Sequence, residues 1–270
     1  MNDTDPLISG QRMWGMVLRH TYLLRSSWPR LLELAYWPTF QLLLWGFLTT
    51  FLLTKSSYIA QAAGVLISAV LLWDVLFRSN LALGLSFLEE MYSRNLGQLF
   101  VSPLRPYEMV AALILMSFLR TVISIAPAAF LALPLFGVWV FDLGFGLIAF
   151  FFNLLVMGWA VGIFMCGLLL RWGLGAESLC WLGLFVIAPI TGIYYPVSVL
   201  PHWLQTLSWM LPSTYVFEGM RAVLFDHTFR WDLLIGATAI NVLYLAFGAG
   251  FFLYMFGVAR RRGLLLQQGE

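Results

Sequence analysis

The chain has 270 residues, of which 61% are hydrophobic, 17% aromatic and only 10% charged. A soluble domain carries roughly a quarter charged residues, so this composition excludes an ordinary water-soluble fold. The net charge of +2 provides no large basic surface, and nucleic acid is therefore not an expected partner. At about 20 apolar residues per membrane crossing, the chain has room for six or seven transmembrane helices and short loops.

Residues 1–30 mix arginines with apolar side chains, and no signal peptide is recognisable in them. On a helix, one face holds Trp14, Val17, Leu18 and Leu24, and the arginines Arg12, Arg19 and Arg30 lie largely off it. This pattern predicts an amphipathic helix lying at the cytoplasmic membrane interface. A solvated lead-in segment is the alternative.

Six apolar runs follow, separated by short polar breaks. They cover residues 31–54, 59–85, 107–136, 141–170, 177–195 and 233–258. We therefore predict an all-α integral membrane fold with six transmembrane helices in residues 31–258. Residues 259–270 are predicted to form a basic cytoplasmic tail.

The distribution of Lys and Arg predicts the orientation, because cytoplasmic loops carry the excess of positive charge. With the N-terminus inside, the inner side would hold Arg12, Arg19, Arg25, Arg30, Arg94, Arg105, Arg171, Arg260, Arg261 and Arg262. The outer side would hold Lys55, Arg221 and Arg230. Both termini are therefore expected in the cytoplasm, and a bacterial inner membrane is the expected location.

The segment 86–102 is too polar to cross a membrane and too periodic for a plain loop. Its apolar residues recur at helical spacing between charged ones, and Pro103 ends the pattern. We expect a cytoplasmic amphipathic helix whose apolar ridge docks a second protein. A surface helix that covers the bundle and binds nothing is the alternative.

The segment 196–230 is apolar but divided by Pro196, Pro201 and Pro212 into pieces too short to span. It predicts a re-entrant hairpin of two short helices on the external side, near residues 202–211 and 214–224. Glu218 and Arg221, three residues apart, can form an ion pair there. The hairpin could serve as an external gate or simply cover the bundle, and the candidate gate residues are Pro201, Trp203, Pro212, Tyr215, Glu218 and Arg221.

These two segments resemble the membrane subunits of type-2 ATP-binding-cassette transporters, the ABC-2 permease family. The resemblance rests on EEMYSRNLGQL at 89–99 with SPL at 102–104, and on PVSVLPHWL at 196–204 with LPSTYVFEGMR at 211–221. It implies a homodimeric exporter driven by two separate ATPase subunits docked beneath the membrane. Family substrates include polysaccharides, lipid-linked glycans, drugs, peptides and haem-related cargo.

The resemblance also implies that the 86–102 segment is the coupling helix, which passes the motion of the ATPases to the spans. The residues expected to contact the ATPase are Glu89, Glu90, Met91, Tyr92, Arg94, Leu96 and Leu99. The chain itself lacks a phosphate-binding Gly-x-x-x-x-Gly-Lys loop, because its one lysine, Lys55, has no glycine nearby. ATP hydrolysis is therefore expected on a partner chain.

Polar side chains inside the spans are the remaining candidates for function. Asp74 and Arg78 are one helical turn apart, so they can neutralise each other or contact a substrate. Arg120 needs a tertiary partner, for which Asp74 and Glu33 are the candidates. On the first span, an aromatic and amide stripe could line a path or simply pack against helices and lipid. The candidate path residues are Trp37, Phe40, Gln41, Trp45, Asp74 and Arg78.

No catalytic or metal-binding motif stands out in the sequence. The three histidines lie outside the apolar runs, and neither Gly-x-Ser-x-Gly nor His-Glu-x-x-His occurs. We therefore expect a non-catalytic permease subunit without cofactors. A passive channel or a membrane assembly scaffold is the alternative function, and an integral membrane enzyme is less favoured.

Overall fold

The computed structural model describes residues 9–53, 59–93 and 95–263, which exclude Lys55, Arg94 and the last seven residues. These residues form an all-helical fold, as predicted. In chain order the helices are α1 Gly10–Arg25, α2 Trp28–Leu53, α3 Ile59–Tyr92, α4 Leu96–Val101, α5 Pro106–Phe136, α6 Phe145–Trp172, α7 Glu177–Ile187, α8 His202–Ser208, α9 Pro212–Asp226 and α10 Trp231–Arg261.

Among the described residues, four helical segments are long and apolar enough to cross a membrane: Val65–Tyr92, Pro106–Phe136, Phe145–Ile190 and Trp231–Arg261. They correspond to predicted spans, and the third contains both α6 and α7. α2 has 26 residues, a sufficient length, but is not among the four. The count of six spans stays a prediction.

The predicted span 177–195 is not a single helix. Gly173, at a φ of 64°, ends α6, and α7 begins four residues later with only 11 residues. A helix of that length rises about 16 Å, roughly half the hydrocarbon thickness. Pro189 and Gly192, the latter at a φ of 72°, interrupt the helix before the predicted end of this span.

Small residues allow the central helices to pack closely. A Cβ added to Gly158 of α6 would lie 2.7 Å from the carbonyl oxygen of Leu76 on α3. A Cβ added to Gly248 of α10 would lie 2.6 Å from the carbonyl oxygen of Ala160 on α6. α6 therefore packs between α3 and α10 with the helix backbones in close contact at these glycines.

The segment predicted as one amphipathic helix over 86–102 is divided in the structure. α3 continues past its charged residues to Tyr92, and α4 is a separate helix of six residues. Leu88, Met91 and Leu96 are buried in the core, so these residues of the predicted apolar ridge pack against the protein, whereas Tyr92 is 56% exposed. The prediction of one separate helix was wrong because its first residues, including the paired Glu89 and Glu90, belong to α3. Docking of a second protein at this segment stays a prediction.

α1 is a helix, as predicted, but it packs against the protein. Val17 and Leu24 are buried together with Met16, whereas Trp14 of the predicted apolar face is 56% exposed. The buried face contacts α5 and the last turns of α3. α1 is therefore part of the helical bundle at the end of the molecule that also carries α4.

The predicted hairpin of two short helices is present as α8 and α9. α8 has seven residues and begins after Pro201, and α9 has 15 residues and begins with the buried Pro212. Both prolines stand where a helix tolerates them, at its first turn or just before it. This hairpin lies at the end of the molecule opposite to α4, which we call the α8 end.

Candidate functional site

A histidine that the sequence analysis did not select is central to the α4 end. His20 of α1 is fully buried between two carboxylates at the end of α3. Its Nδ1 lies 3.5 Å from Glu89 Oε2, and its Nε2 lies 3.5 Å from Glu90 Oε1. Arg19, the neighbouring residue on α1, forms an ion pair with Glu90 Oε2 at 3.0 Å.

Two further helices contribute arginines to the same carboxylates. Arg30 of α2 and Arg120 of α5 approach Glu89 to 3.3 and 3.2 Å. Asn95, just before α4, donates a hydrogen bond of 3.0 Å to Glu90. Within the described residues, Arg120 thus pairs with Glu89 and not with Asp74 or Glu33, the two partners considered from the sequence. We call the group of seven residues the His20 cluster: Arg19, His20, Arg30, Glu89, Glu90, Asn95 and Arg120.

The start of α5 is joined to α1 by a second carboxylate. Glu108 accepts a hydrogen bond of 2.7 Å from the backbone amide of Ser9 and forms an ion pair of 2.9 Å with Arg12. It also caps α5 through the amide of Arg105 at 3.0 Å. Together with the His20 cluster, this contact makes α1 a bridge between α3 and α5.

A cavity of about 380 Å³ begins beside the His20 cluster and extends along α3. We call it the Asp74 cavity. Its lining brings together residues predicted for the translocation path with residues predicted to contact the ATPase. The path residues are Trp37, Gln41, Asp74 and Arg78, and the ATPase-contact residues are Glu89 and Tyr92. Its aromatic lining is completed by side chains of α3 and α7: Trp73, Phe77, Trp181 and Phe185.

The two charged residues of the second span line this cavity without bonding to each other. Asp74 is 2% exposed, and its Oδ2 has no hydrogen-bond partner. Nε of Arg78 is likewise unpartnered, and the guanidinium lies 5.9 Å from the centre of the Phe77 ring. In the described part of the chain, no hydrogen bond or ion pair joins Asp74 to Arg78. Direct pairing, which their spacing allows, is absent.

Two residues of the predicted aromatic stripe lie outside the cavity lining. Phe40 is 41% exposed and stacks on Tyr36, with ring centres 5.9 Å apart. Trp45 stacks on Tyr194 at 4.9 Å. The stripe therefore divides into a half that lines the cavity, Trp37 and Gln41, and a half that packs elsewhere.

At the α8 end, the predicted ion pair between Glu218 and Arg221 is present at 3.1 Å. The buried Arg221 guanidinium also donates to the carbonyl oxygens of Gly192, Ile193 and Tyr195, the latter two at 3.1 Å. Glu218 accepts a bond of 2.8 Å from the backbone amide of Val197. Burial lowers the pKa of the Arg221 guanidinium, and the Glu218 carboxylate opposes this shift.

We call Glu218 and Arg221 the Arg221 clamp, because they fix the turn at 192–197 to α9. The other candidate gate residues lie around it. Trp203 is 66% exposed, and the Tyr215 ring packs edge-on against Trp209 at 4.9 Å. Whether the hairpin acts as a gate stays a prediction.

The sequence did carry a signal for His20. It lies three residues after Val17 and four before Leu24, and so on the apolar face of α1. A histidine on such a face is buried when the helix packs, and its ring nitrogens then need polar partners. The carboxylates that face it are about 70 positions further along the chain, and no local pattern points to them.

The fold and the cavity define a helical membrane protein with several apolar spans and a charged, aromatic internal site. The sequence profile of the ABC-2 type transporter matches residues 22–225, which is most of the chain, and the protein belongs to this family. Members of this family are membrane subunits of ABC transporters.

Two curated relatives share part of the sequence. A stretch of 139 residues is 30% identical to the probable multidrug ABC transporter permease YbhR of Escherichia coli K12, and the same figures hold for YbhR of E. coli O157:H7. The stretch covers 47% of this chain and 34% of each relative. The match thus spans about a third of the relatives' length.

Proposed function

We propose that this chain is the permease subunit of an ATP-driven exporter in a bacterial inner membrane. Two copies form the translocation path, and two separate ABC ATPase subunits dock at the α4 end, which faces the cytoplasm together with both termini. The path includes six spans per copy, which are α2, α3, α5, α6, the α7 segment and α10. Membrane lipid surrounds the dimer.

The observation that carries this proposal is the continuity of α3. One uninterrupted helix bears Asp74 at its centre and Tyr92, which is 56% exposed, at its end, and it lines the Asp74 cavity between these two residues. From Asp74 to Glu89 the rise is about 22 Å. A force applied by an ATPase near Tyr92 and α4 is therefore transmitted along α3 to the cavity, where it changes access to the site.

The cavity also supports a substrate class. Aromatic rings and charged groups line a space whose volume suits a drug-sized molecule. The curated relatives are described as multidrug permeases, and an amphipathic, drug-like substrate is consistent with both observations. Glycans and lipid-linked molecules are the other substrates considered from the sequence, and a panel of all three classes separates them.

Docking at the α4 end can be tested by cross-linking. The permease, carrying a cysteine at the exposed Gln98 or, as the matched control, at the exposed Trp203 of the α8 end, is co-expressed with a candidate ABC ATPase. Gln98→Cys is expected to cross-link to the ATPase and Trp203→Cys is not. Cross-linking of Trp203→Cys alone, or the absence of any co-purified ATPase, would contradict the proposal.

Coupling can be tested at Tyr92, whose hydroxyl donates to Glu177 at the start of α7. In proteoliposomes, Tyr92→Ala is expected to lower the amount of substrate moved per ATP several-fold, because the contact surface near the ATPase is lost. Tyr92→Phe keeps the ring and serves as the control. Equal transport per ATP in wild type and Tyr92→Ala would show that Tyr92 takes no part in coupling.

A further inference from the structure

The charged groups of the Asp74 cavity differ in how well they are partnered. Glu89 bonds to Arg30 and Arg120, and Glu33 is exposed. Arg120 keeps an unpartnered Nε, but its guanidinium is paired with Glu89. Asp74 and Arg78 each keep an unpartnered buried atom, and within the described residues neither forms an ion pair. Buried charged groups nearly always find partners, because leaving them without one costs free energy. This unmet bonding capacity points to a ligand that supplies both partners.

The positions of the two residues define what the ligand must carry. Side chains one helical turn apart have Cβ atoms about 5–6 Å apart. Asp74 accepts a bond from a cationic nitrogen, and Arg78 donates to an anionic or strongly accepting oxygen. A ligand that satisfies both therefore bears opposite charges on one side of its body.

The rest of the cavity defines the body of the ligand. Phe77 of α3 and Trp181 and Phe185 of α7 line the same space, and their rings lie near one another, with the Phe77 and Phe185 centres 5.3 Å apart. Such walls favour a flat ring and also attract a cation. A volume of about 380 Å³ admits a molecule of two or three fused or linked rings.

We propose that the Asp74 cavity binds an aromatic zwitterion, with its cationic nitrogen at Asp74, its anionic group at Arg78 and its ring system between α3 and α7. This inference rests on the proposed function and specifies its substrate class. A purely cationic ligand leaves Arg78 without an acceptor, and a purely anionic one leaves Asp74 without a donor. Either ligand is therefore bound more weakly than the zwitterion.

The test compares three forms of one ring system. Norfloxacin is a zwitterion at neutral pH, its ethyl ester is a cation, and its N-acetyl derivative is an anion. Equilibrium binding of each to the purified full-length permease in nanodiscs, without an ATPase, gives three dissociation constants. Norfloxacin is expected to bind about tenfold more tightly than either derivative, since each derivative loses one charge-assisted bond.

Two charge-removing substitutions make the test specific. Asp74→Asn is expected to weaken binding of norfloxacin and of the ester by about tenfold and to leave the N-acetyl derivative unchanged. Arg78→Gln is expected to weaken norfloxacin and the N-acetyl derivative and to leave the ester unchanged. Asp232→Asn, which removes an exposed charge at the start of α10, is the control and changes none of the three constants.

Other outcomes overturn the inference. If the three compounds bind wild type with equal affinity, or if none binds, the cavity does not select a zwitterion, and this result needs no variant to fold. If each substitution weakens all three compounds equally, the effect is structural. The binding measurement contains no ATPase, so its failure is distinguishable from failure of the proposed transport function, which the cross-linking experiment tests.

Discussion

The two ends of the molecule stabilise buried charge in different ways. At the α4 end, side chains from α1, α2, α3 and α5 share two carboxylates, and each carboxylate has more than one partner. At the α8 end, the single guanidinium of Arg221 bonds to three backbone carbonyls of one turn. The first arrangement joins separate helices through side chains, and the second fixes a backbone conformation.

This difference bears on the movement that the proposed transport function requires. Contacts between side chains can exchange partners while each charge remains compensated, so the helices of the His20 cluster can shift relative to one another. Carbonyls held by a guanidinium lose all their partners at once if α9 moves away. We therefore expect the α4 end to rearrange during transport and the turn at 192–197 to stay attached to α9.

The largest expected effect comes from breaking the Arg221 clamp. Arg221→Met is expected to lower the free energy of unfolding by about 3–5 kcal/mol, because three carbonyls of the turn lose their donor and Glu218 loses its cationic partner. The free energy is measured by SDS titration of the purified protein in mixed micelles. Arg221→Lys keeps the charge but not the planar fork, and should recover only part of the loss. If Arg221→Met lowers the free energy of unfolding by less than Glu90→Gln does, the proposed difference between the two ends is refuted.

Within the His20 cluster, the most buried carboxylate should matter most. Glu90→Gln is expected to lower the free energy of unfolding by about 1–3 kcal/mol. The glutamine oxygen can still accept a hydrogen bond from Asn95, but the neutral amide no longer compensates the charge of Arg19, and it replaces the carboxylate that lies beside His20. The same titration measures it. Gln98→Ala, at an exposed position of α4, is the control and should have no effect.

A double-mutant cycle of Glu89→Gln and Arg120→Gln measures how strongly one pair is coupled. Because Glu89 also bonds to Arg30 and is 24% exposed, the coupling energy is expected to be only about 0.5–1 kcal/mol. A value of several kcal/mol would mean that partners in the cluster do not substitute for one another. The α4 end would then be as rigid as the clamp.

The smallest effect is expected from the exposed pair of Arg230 and Asp232. Solvent and salt screen this pair, so Asp232→Asn should leave the thermal unfolding midpoint unchanged. A clear drop in the midpoint would show that exposed charges at the α8 end also stabilise the fold. The contrast with Arg221 would then be one of degree only.

Features imposed by the membrane could be predicted from the sequence. The long apolar runs near 59–85, 107–136, 141–170 and 233–258 are helices because lipid offers the backbone no other hydrogen-bond partners. Pro201 and Pro212 divided the hairpin where the structure divides it. The ion pair of Glu218 with Arg221 followed from helical spacing alone.

Features set by distant partners could not be predicted. α3 runs to Tyr92 because Glu89 and Glu90 are compensated by His20, Arg19 and other residues that are far away in the sequence. The interruption after α7 is a different case, since Pro189 was visible in the sequence, but the apolar run around it suggested one continuous helix. Among the path candidates, spacing placed Asp74 and Arg78 on one face but could not show that they do not bond.

The turn at 192–197 has one further consequence, because α7 leads directly into it. Trp181 and Phe185, which flank the internal site, are borne by a short helix whose far end Arg221 holds in place. The orientation of these two rings therefore depends on the hydrogen bonds that Arg221 makes to the turn at the α8 end. Variants selected for an altered preference among the proposed substrates should accordingly include substitutions at this turn, which does not line the Asp74 cavity.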